Sequence, residues 1–256
     1  MIYDLQKASF WKRASAFLFD LVIMLVVVVG IASLMSMAMK YELHFHNIEG
    51  EKNIEKQKIE AEYGCELDLS VGYSDMSEQQ KEMYDKLDKA ISENDTIQAA
   101  AFLLLNYSLV ICLVSTFLAY AILEFAIPMI FGNGQTLGKK LFNIGVVRTN
   151  TVKASPFVLF VRMLFGKFTI ETVLPLFVLI MMFFGIVGIV GPVVILGLVV
   201  LEIIAILATR TRSAIHDLIS DCCVVDMATQ MVFESEQALL DYKKKIHEEN
   251  VANSPY

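Results

Sequence analysis

Long apolar runs constrain the fold of this chain more than any other feature of its sequence. They cover about residues 14–39, 97–131 and 175–207, and each exceeds the roughly 20 residues that a helix needs to cross a bilayer. The composition agrees, since 56% of the residues are hydrophobic and only 19% are charged, against about 25% charged in soluble domains. We therefore predict an all-α integral membrane helical bundle.

The number of spans depends on the last apolar run, which is long enough for two helices. Ser155-Pro156 opens a helix that leads into this run, and Gly185, Gly188 and Gly191-Pro192 interrupt it. A tight turn at Gly188 to Pro192 gives four spans in all. A single long tilted helix over residues 173–207 gives three.

Basic residues lie at three places next to the spans and indicate the topology. They precede the first run, follow the last run, and occupy the loop at 132–155, which holds four lysines or arginines and no acid. Basic loops face the cytoplasm, so an even number of spans separates residue 155 from Arg210. We predict four spans in the plasma membrane, with both termini in the cytoplasm.

Residues 41–96 form an acidic loop that this topology places outside the cytoplasm. The loop holds fifteen acids against six lysines. Residues 50–63 have a charged helical pattern, and Ser77 to Gln80 predicts a capping box for a second helix. The stretch from Val71 to Asp75 predicts a turn. The predicted regions are the N-terminus with the first span (1–40), the acidic loop (41–96), the remaining spans with their cytoplasmic motifs (97–226) and a cytoplasmic tail (227–256).

Several classes of function find no support in the sequence. No basic surface interleaved with aromatic residues stands out, which argues against nucleic-acid binding. None of the four cysteines has the CxxC spacing of a zinc or redox site, and the histidines have no convincing metal-ligand spacing. We predict no cofactor and no metal.

Charged residues inside the apolar runs are the main candidates for function, because such groups are costly in lipid. Asp20 lies seven residues after Arg13, on the same helix face and roughly 10 Å deeper. Depth alone places six residues at the cytoplasmic end of the bundle: Arg13, Asp20, Glu124, Arg162, Glu202 and Asp217.

Three motifs in this order resemble the RDD family of multipass membrane proteins, which is named for one arginine and two aspartates. They are Arg13-x6-Asp20, the stretch from Gln135 to Lys140 before Val146-Val147, and the stretch from His216 to Ser220 before Val224-Val225. The resemblance implies that Arg13, Asp20 and Asp217 are the name-giving residues. It also singles out Thr136, Gly138, Lys139 and His216 as motif residues. Cys222 departs from the family pattern, which usually has threonine there, and the acidic loop has no counterpart in it.

The resemblance implies a membrane protein whose function is poorly defined, with transport of an unknown ligand or sodium–proton exchange suggested for some members. Carboxylates within the bilayer could bind a proton or a monovalent cation in turn. The structural alternative is that Asp20 pairs with Arg13 or Arg162 and joins helices. The absence of a visible inverted repeat argues against transport, although a homo-oligomer could complete a pathway.

The alternative from another class of function is a scaffold or regulator. Such a protein would bind a partner through its acidic loop or its tail. Enzymatic activity is not predicted, although His216 and Asp217 have the residue types for acid–base chemistry. Adjacent residues do not share a helix face, and no nucleophile motif accompanies them. The lipid bilayer is the one partner that every one of these interpretations requires.

Overall fold

A computed structural model describes residues 4–64, 73 and 76–253. Its helices and strands, in chain order, are α1 (Phe10–Ala38), α2 (Tyr41–Tyr63), α3 (Glu78–Ser92), α4 (Asp95–Phe131), α5 (Leu137–Leu141), β1 (Ile144–Arg148), α6 (Pro156–Phe183), α7 (Val190–Ala208), α8 (Ile215–Ile219), β2 (Cys222–Asp226) and α9 (Glu236–Asn253). Among the described residues, four helices are long and apolar enough to cross a membrane, namely α1, α4, α6 and α7. The predicted four-span helical membrane fold is confirmed.

The connection between α6 and α7 shows that the last apolar run forms parts of two helices and not one long helix. The chain leaves α6 after Phe183 and enters α7 at Val190, through a turn in which Gly185 and Gly188 have φ of 69° and 47°. Glycine adopts this left-handed backbone without the steric cost that a Cβ brings. The turn precedes the predicted position, and Pro192 falls in the first turn of α7, where a missing amide proton is tolerated.

A small antiparallel sheet joins two distant parts of the chain and was not predicted from the sequence. Strands β1 and β2 pair with Val146 opposite Val224, and the side chains of both residues are buried. The N-terminal segment adds to the sheet, since the Ala8 amide donates to the Val224 carbonyl at 3.1 Å. The segments before α1, after α4 and after α7 therefore lie together.

The chain divides into two compact units, of which residues 1–28 and 116–256 form the first. Two hydrophobic clusters surround the sheet of this unit, and a third holds the tail, where Phe233 and Leu239 pack with Val152. The N-terminal segment, both motif loops and the tail thus meet at one end of the spans. This arrangement requires an even number of spans between them, as the basic residues predicted.

The second unit, residues 29–115, contains helices α2 and α3 and parts of α1 and α4. Its apolar cluster consists of Ile59, Leu87 and Ile97. The capping box is present, because the Ser77 side chain accepts from the Gln80 amide and the Gln80 side chain accepts from the Ser77 amide. Helix α2 begins at Tyr41, earlier than the charged pattern indicated. The turn predicted at Val71 to Asp75 falls, apart from Tyr73, outside the described residues.

Single cysteines introduced into a cysteine-free background test the predicted orientation. Ser92→Cys, at the end of α3, should react with a membrane-impermeant maleimide in intact cells, because the topology places it outside the cytoplasm. Gln237→Cys, at the start of α9, should react only after the cells are permeabilised. Both side chains are exposed, so burial does not limit labelling. Labelling of both residues in intact cells, or of neither, would contradict the four-span topology.

Candidate functional site

Two spans contain π-helical segments, and these segments carry most of the charged groups inside the bundle. They cover Ala121–Ala126 in α4 and Arg162–Val173 in α6. In an α-helix, residues five apart point about 140° away from each other. The i to i+5 hydrogen bonding of a π-helix instead brings Arg162 and Lys167 to one face. Both side chains can therefore reach the same partner, Glu124.

Arg162 is the central residue of the site. Its Nε donates to Asp217 Oδ1 at 2.8 Å, and its Nη1 donates to Glu124 Oε2 at 3.3 Å. The side chains of Arg162 and Glu124 are 3% exposed, and that of Asp217 is fully buried. One guanidinium thus connects α4, α6 and α8 through two buried ion pairs.

Glu124 faces two further cations. Lys167 Nζ donates to Glu124 Oε1, and Lys139 Nζ lies 3.8 Å from Glu124 Oε2. Buried charges of opposite sign stabilise a protein only when they are paired and hydrogen-bonded. With three basic partners, the Glu124 carboxylate is held in place from α5 and from two positions of α6.

Asp20 has a different environment, and the predicted pairing with Arg13 or Arg162 is not what the structure shows. Its carboxylate accepts from the Thr136 hydroxyl at 2.5 Å and from the Gly138 amide at 2.7 Å. Gly138 permits this contact, since a Cβ there would lie 2.9 Å from the Asp20 carboxyl carbon and against the Ala16 carbonyl. In the described part of the chain, no Lys or Arg nitrogen lies within salt-bridge distance of Asp20.

Lys139 connects Asp20 to the rest of the site. Its Nζ lies 3.4 Å from Thr136 Oγ1, the same hydroxyl that donates to Asp20. Burial lowers the pKa of the Lys139 ammonium to about 8; the nearby carboxylate of Glu124 raises it, while the cations of Lys167 and Arg162 lower it further. Lys139 can therefore lose its proton close to neutral pH.

Arg13 reaches the site from the start of α1. Its guanidinium donates to the Arg212 carbonyl and lies 4.0 Å from Asp217 Oδ2. Burial alone raises the pKa of the Asp217 carboxyl, but His216 when protonated, Arg162 and Arg13 outweigh burial, and this pKa lies below its ordinary value. Asp217 is thus an ionised partner shared by two arginines. We call Arg13, Asp20, Glu124, Lys139, Arg162, Lys167 and Asp217 the ion-pair network.

Three further groups adjoin this network, and we call Glu171, Glu202 and His216 the Glu–His cluster. Glu202 Oε2 accepts from the Ile215 amide at 3.2 Å, which places it beside His216. His216 Nδ1 meets Glu171 Oε1, and its Nε2 lies 3.3 Å from Asp217 Oδ1. One ligand atom from each of the three residues lies within 4.8 Å of the other two.

Gly166 brings α8 to α6 and so positions His216. A Cβ at Gly166 would lie 2.7 Å from the Cα of His216, closer than real Cβ contacts occur. Any larger residue would push α8 away from the third span. The small residue therefore sets the approach of both His216 and Asp217 to the network.

Comparison with known families agrees with the geometry, in which one arginine and two aspartates meet at one end of the spans. A family model described as RDD family matches residues 7–221, most of the chain. The chain belongs to the RDD family. Comparison with curated proteins and with solved structures gave no match.

The RDD chain brings all of its sequence-predicted site residues into one region, but with different partners from those expected. Arg13 and Arg162 both pair with Asp217, whereas Asp20 joins through Thr136 and Lys139. Glu202 lies in the adjoining cluster. Lys167 and Glu171 were not among the predicted site residues, because their contacts depend on the π-helical turn.

Replacing Arg162 with methionine tests the central position of this residue. The change leaves the buried carboxylate of Asp217 without its closest cation, and we expect a loss of about 3–5 kcal/mol in the free energy of unfolding. Denaturant unfolding of purified protein in detergent micelles measures the difference.

Lys153→Met is the matched control. Lys153 pairs with Glu234 at 3.1 Å, but both side chains are substantially exposed, and exposed pairs contribute little. The control should unfold close to the wild-type denaturant midpoint. If Arg162→Met is no less stable than Lys153→Met, Arg162 is not a stabilising centre.

Proposed function

We propose that this RDD protein exchanges a monovalent cation for a proton, with Asp20 as the cation-binding carboxylate and Lys139 as the proton-releasing group. The observation that carries the proposal is the contrast between Asp20 and the other network acids. Glu124 and Asp217 have arginine or lysine partners, whereas Asp20, among the described residues, accepts only from a hydroxyl and an amide. Its negative charge is thus available to an incoming cation.

The charge balance of the ion-pair network supports coupling between the two ions. With Lys139 protonated, the network holds four basic and three acidic side chains and has a net charge of +1. Release of the Lys139 proton makes the network neutral, and a monovalent cation at Asp20 returns it to +1. Because adding charge to a buried site is costly, the cation binds most readily after the proton has left.

The pKa of Lys139 predicts the direction of the pH dependence. Below about pH 8 the protonated amine, with Arg162 and Lys167 nearby, opposes a further cation. Above about pH 8 the amine is neutral, and Asp20 can accept the cation. Proton release from Lys139 and cation binding at Asp20 would then alternate. The Thr136 hydroxyl, which contacts both side chains, would connect the two events.

We also propose the membrane orientation that the sequence predicts. Both termini and the ion-pair network would lie at the cytoplasmic end of the bundle, and the acidic loop outside. In this arrangement His216 and Asp217 contribute to packing and charge balance, not to catalysis.

A second candidate function is a non-transporting membrane scaffold in which the network only joins the helices. The fixed pairs around Arg162 and Glu124 favour this alternative, because they need no mobile ion. The two candidates differ in what a charge-conserving change at Lys139 does.

Lys139→Arg provides the discriminating test. Arginine keeps the positive charge and can pair with Glu124, but it does not release its proton at accessible pH. In proteoliposomes containing a pH-sensitive dye, wild-type protein should show a Na⁺- or K⁺-dependent proton flux that rises as pH increases through about 8. Lys139→Arg and Asp20→Asn should each abolish this flux.

Lys140→Arg is the control, since this neighbour is exposed and lies over the Phe131 ring. It should keep the wild-type flux. Thermal unfolding of every variant shows whether the fold is retained. Absence of flux from stable wild-type protein, or full flux in Lys139→Arg, would overturn exchange through these residues.

A further inference from the structure

The Glu–His cluster lies beside the ion-pair network and has no part in the proposed exchange. Its three side chains come from three separate elements: Glu171 from α6, Glu202 from α7 and His216 from α8. Their ligand atoms lie within 4.8 Å of one another. Two carboxylates and one imidazole that converge in this way form a mixed oxygen and nitrogen ligand set.

The surroundings of His216 add a second, independent observation. Its Nε2 lies 3.3 Å from Asp217 Oδ1, and Asp217 is fully buried and fixed by Arg162. A carboxylate this close to the far nitrogen of the imidazole favours the tautomer with its proton on that nitrogen, as in histidines that bind metals. In that tautomer the near nitrogen, Nδ1, has a lone pair that a metal ion could bind in place of its present contact with Glu171.

The Nδ1 atom of His216 faces a second electron-pair donor, a carboxylate oxygen. Nδ1 meets Glu171 Oε1, and Glu202 carries a second carboxylate into the same space. Burial lowers the pKa of the His216 imidazole, which favours its neutral form. Glu202 has no salt bridge to a lysine or arginine among the described residues, so the cluster attracts positive charge.

We propose that Glu171, Glu202 and His216 bind a divalent first-row transition-metal ion. The imidazole ligand favours such an ion over Na⁺, K⁺ or Mg²⁺, which prefer oxygen ligands alone. Part of the Glu171 side chain is accessible, which gives the ion a way in. The proposal concerns binding at equilibrium and does not depend on whether the protein transports ions.

Mn²⁺ is the appropriate probe, because it binds imidazole and carboxylate but has little preference for thiols. This choice avoids Cys222 and Cys223, whose thiols are buried; burial raises the pKa of Cys223 to about 12, so it remains protonated. The experiment uses the full chain without an affinity tag, in nanodiscs of zwitterionic lipid. Electron paramagnetic resonance measures free Mn²⁺ during a titration.

We expect one Mn²⁺ per chain, and a dissociation constant at least tenfold weaker in Glu202→Gln and in His216→Gln. The glutamine at 202 keeps an oxygen that can accept from the Ile215 amide, so this variant should retain the fold. An excess of Mg²⁺ should not displace Mn²⁺ from the wild-type protein. Two control variants, Glu234→Gln at an exposed ion pair and Lys139→Arg in the network, should bind Mn²⁺ like the wild type.

Three results would overturn the metal site. One is no binding to stable wild-type protein, in which case a proton alone bridges His216 and Glu171. Another is binding that Glu202→Gln leaves unchanged, which would place the ion elsewhere. The third is equal displacement by Mg²⁺, which would indicate only a general attraction of cations to acids. If Lys139→Arg loses flux but binds Mn²⁺ normally, metal binding is independent of the proposed exchange.

Discussion

A buried guanidinium cannot stay unpaired, and the arrangement of this membrane domain depends on how Arg162 meets that requirement. Its partners Glu124 and Asp217 come from the second span and from the segment after the fourth span. The apolar runs place helices in a bilayer, but lipid provides little that holds one helix against another. The charged pairs supply specific contacts, and the π-helical turn of α6 makes it possible for Arg162 and Lys167 to share Glu124.

Helix positions follow from the sequence because their cause is local. Three apolar runs, with a glycine-rich break in the last of them, are sufficient to predict four spans, and Ser77 and Gln80 are sufficient to predict a capping box. The sheet escaped prediction because β1 and β2 are five residues each and lie more than seventy residues apart in the chain. Their valine pairs have an apolar pattern that is also typical of a membrane-surface segment, and only the pairing partner distinguishes the two.

The site residues also have one property that follows from the sequence, their depth in the membrane, and one that does not, the direction of their side chains. Depth along a helix can be counted, so the region shared by Arg13, Asp20, Arg162 and Asp217 was predictable. The direction of each side chain was not, because it depends on π-helical turns and on the approach of α5 through Gly138. Asp20 consequently has the Thr136 hydroxyl and the Gly138 amide as partners in place of an arginine. This difference separates Glu124 and Asp217, which have basic partners, from Asp20, on which the proposed cation binding depends.

We infer that the Arg162–Asp217 pair joins α6 to α8 as one energetic unit. A double-mutant cycle with Arg162→Met, Asp217→Leu and the double variant, measured by denaturant unfolding in micelles, tests it most directly. We expect the double variant to lose less stability than the sum of the single losses, with a coupling energy of about 0.5–3 kcal/mol. Losses that add to within about 0.5 kcal/mol would contradict it, because residues that act independently show such additivity.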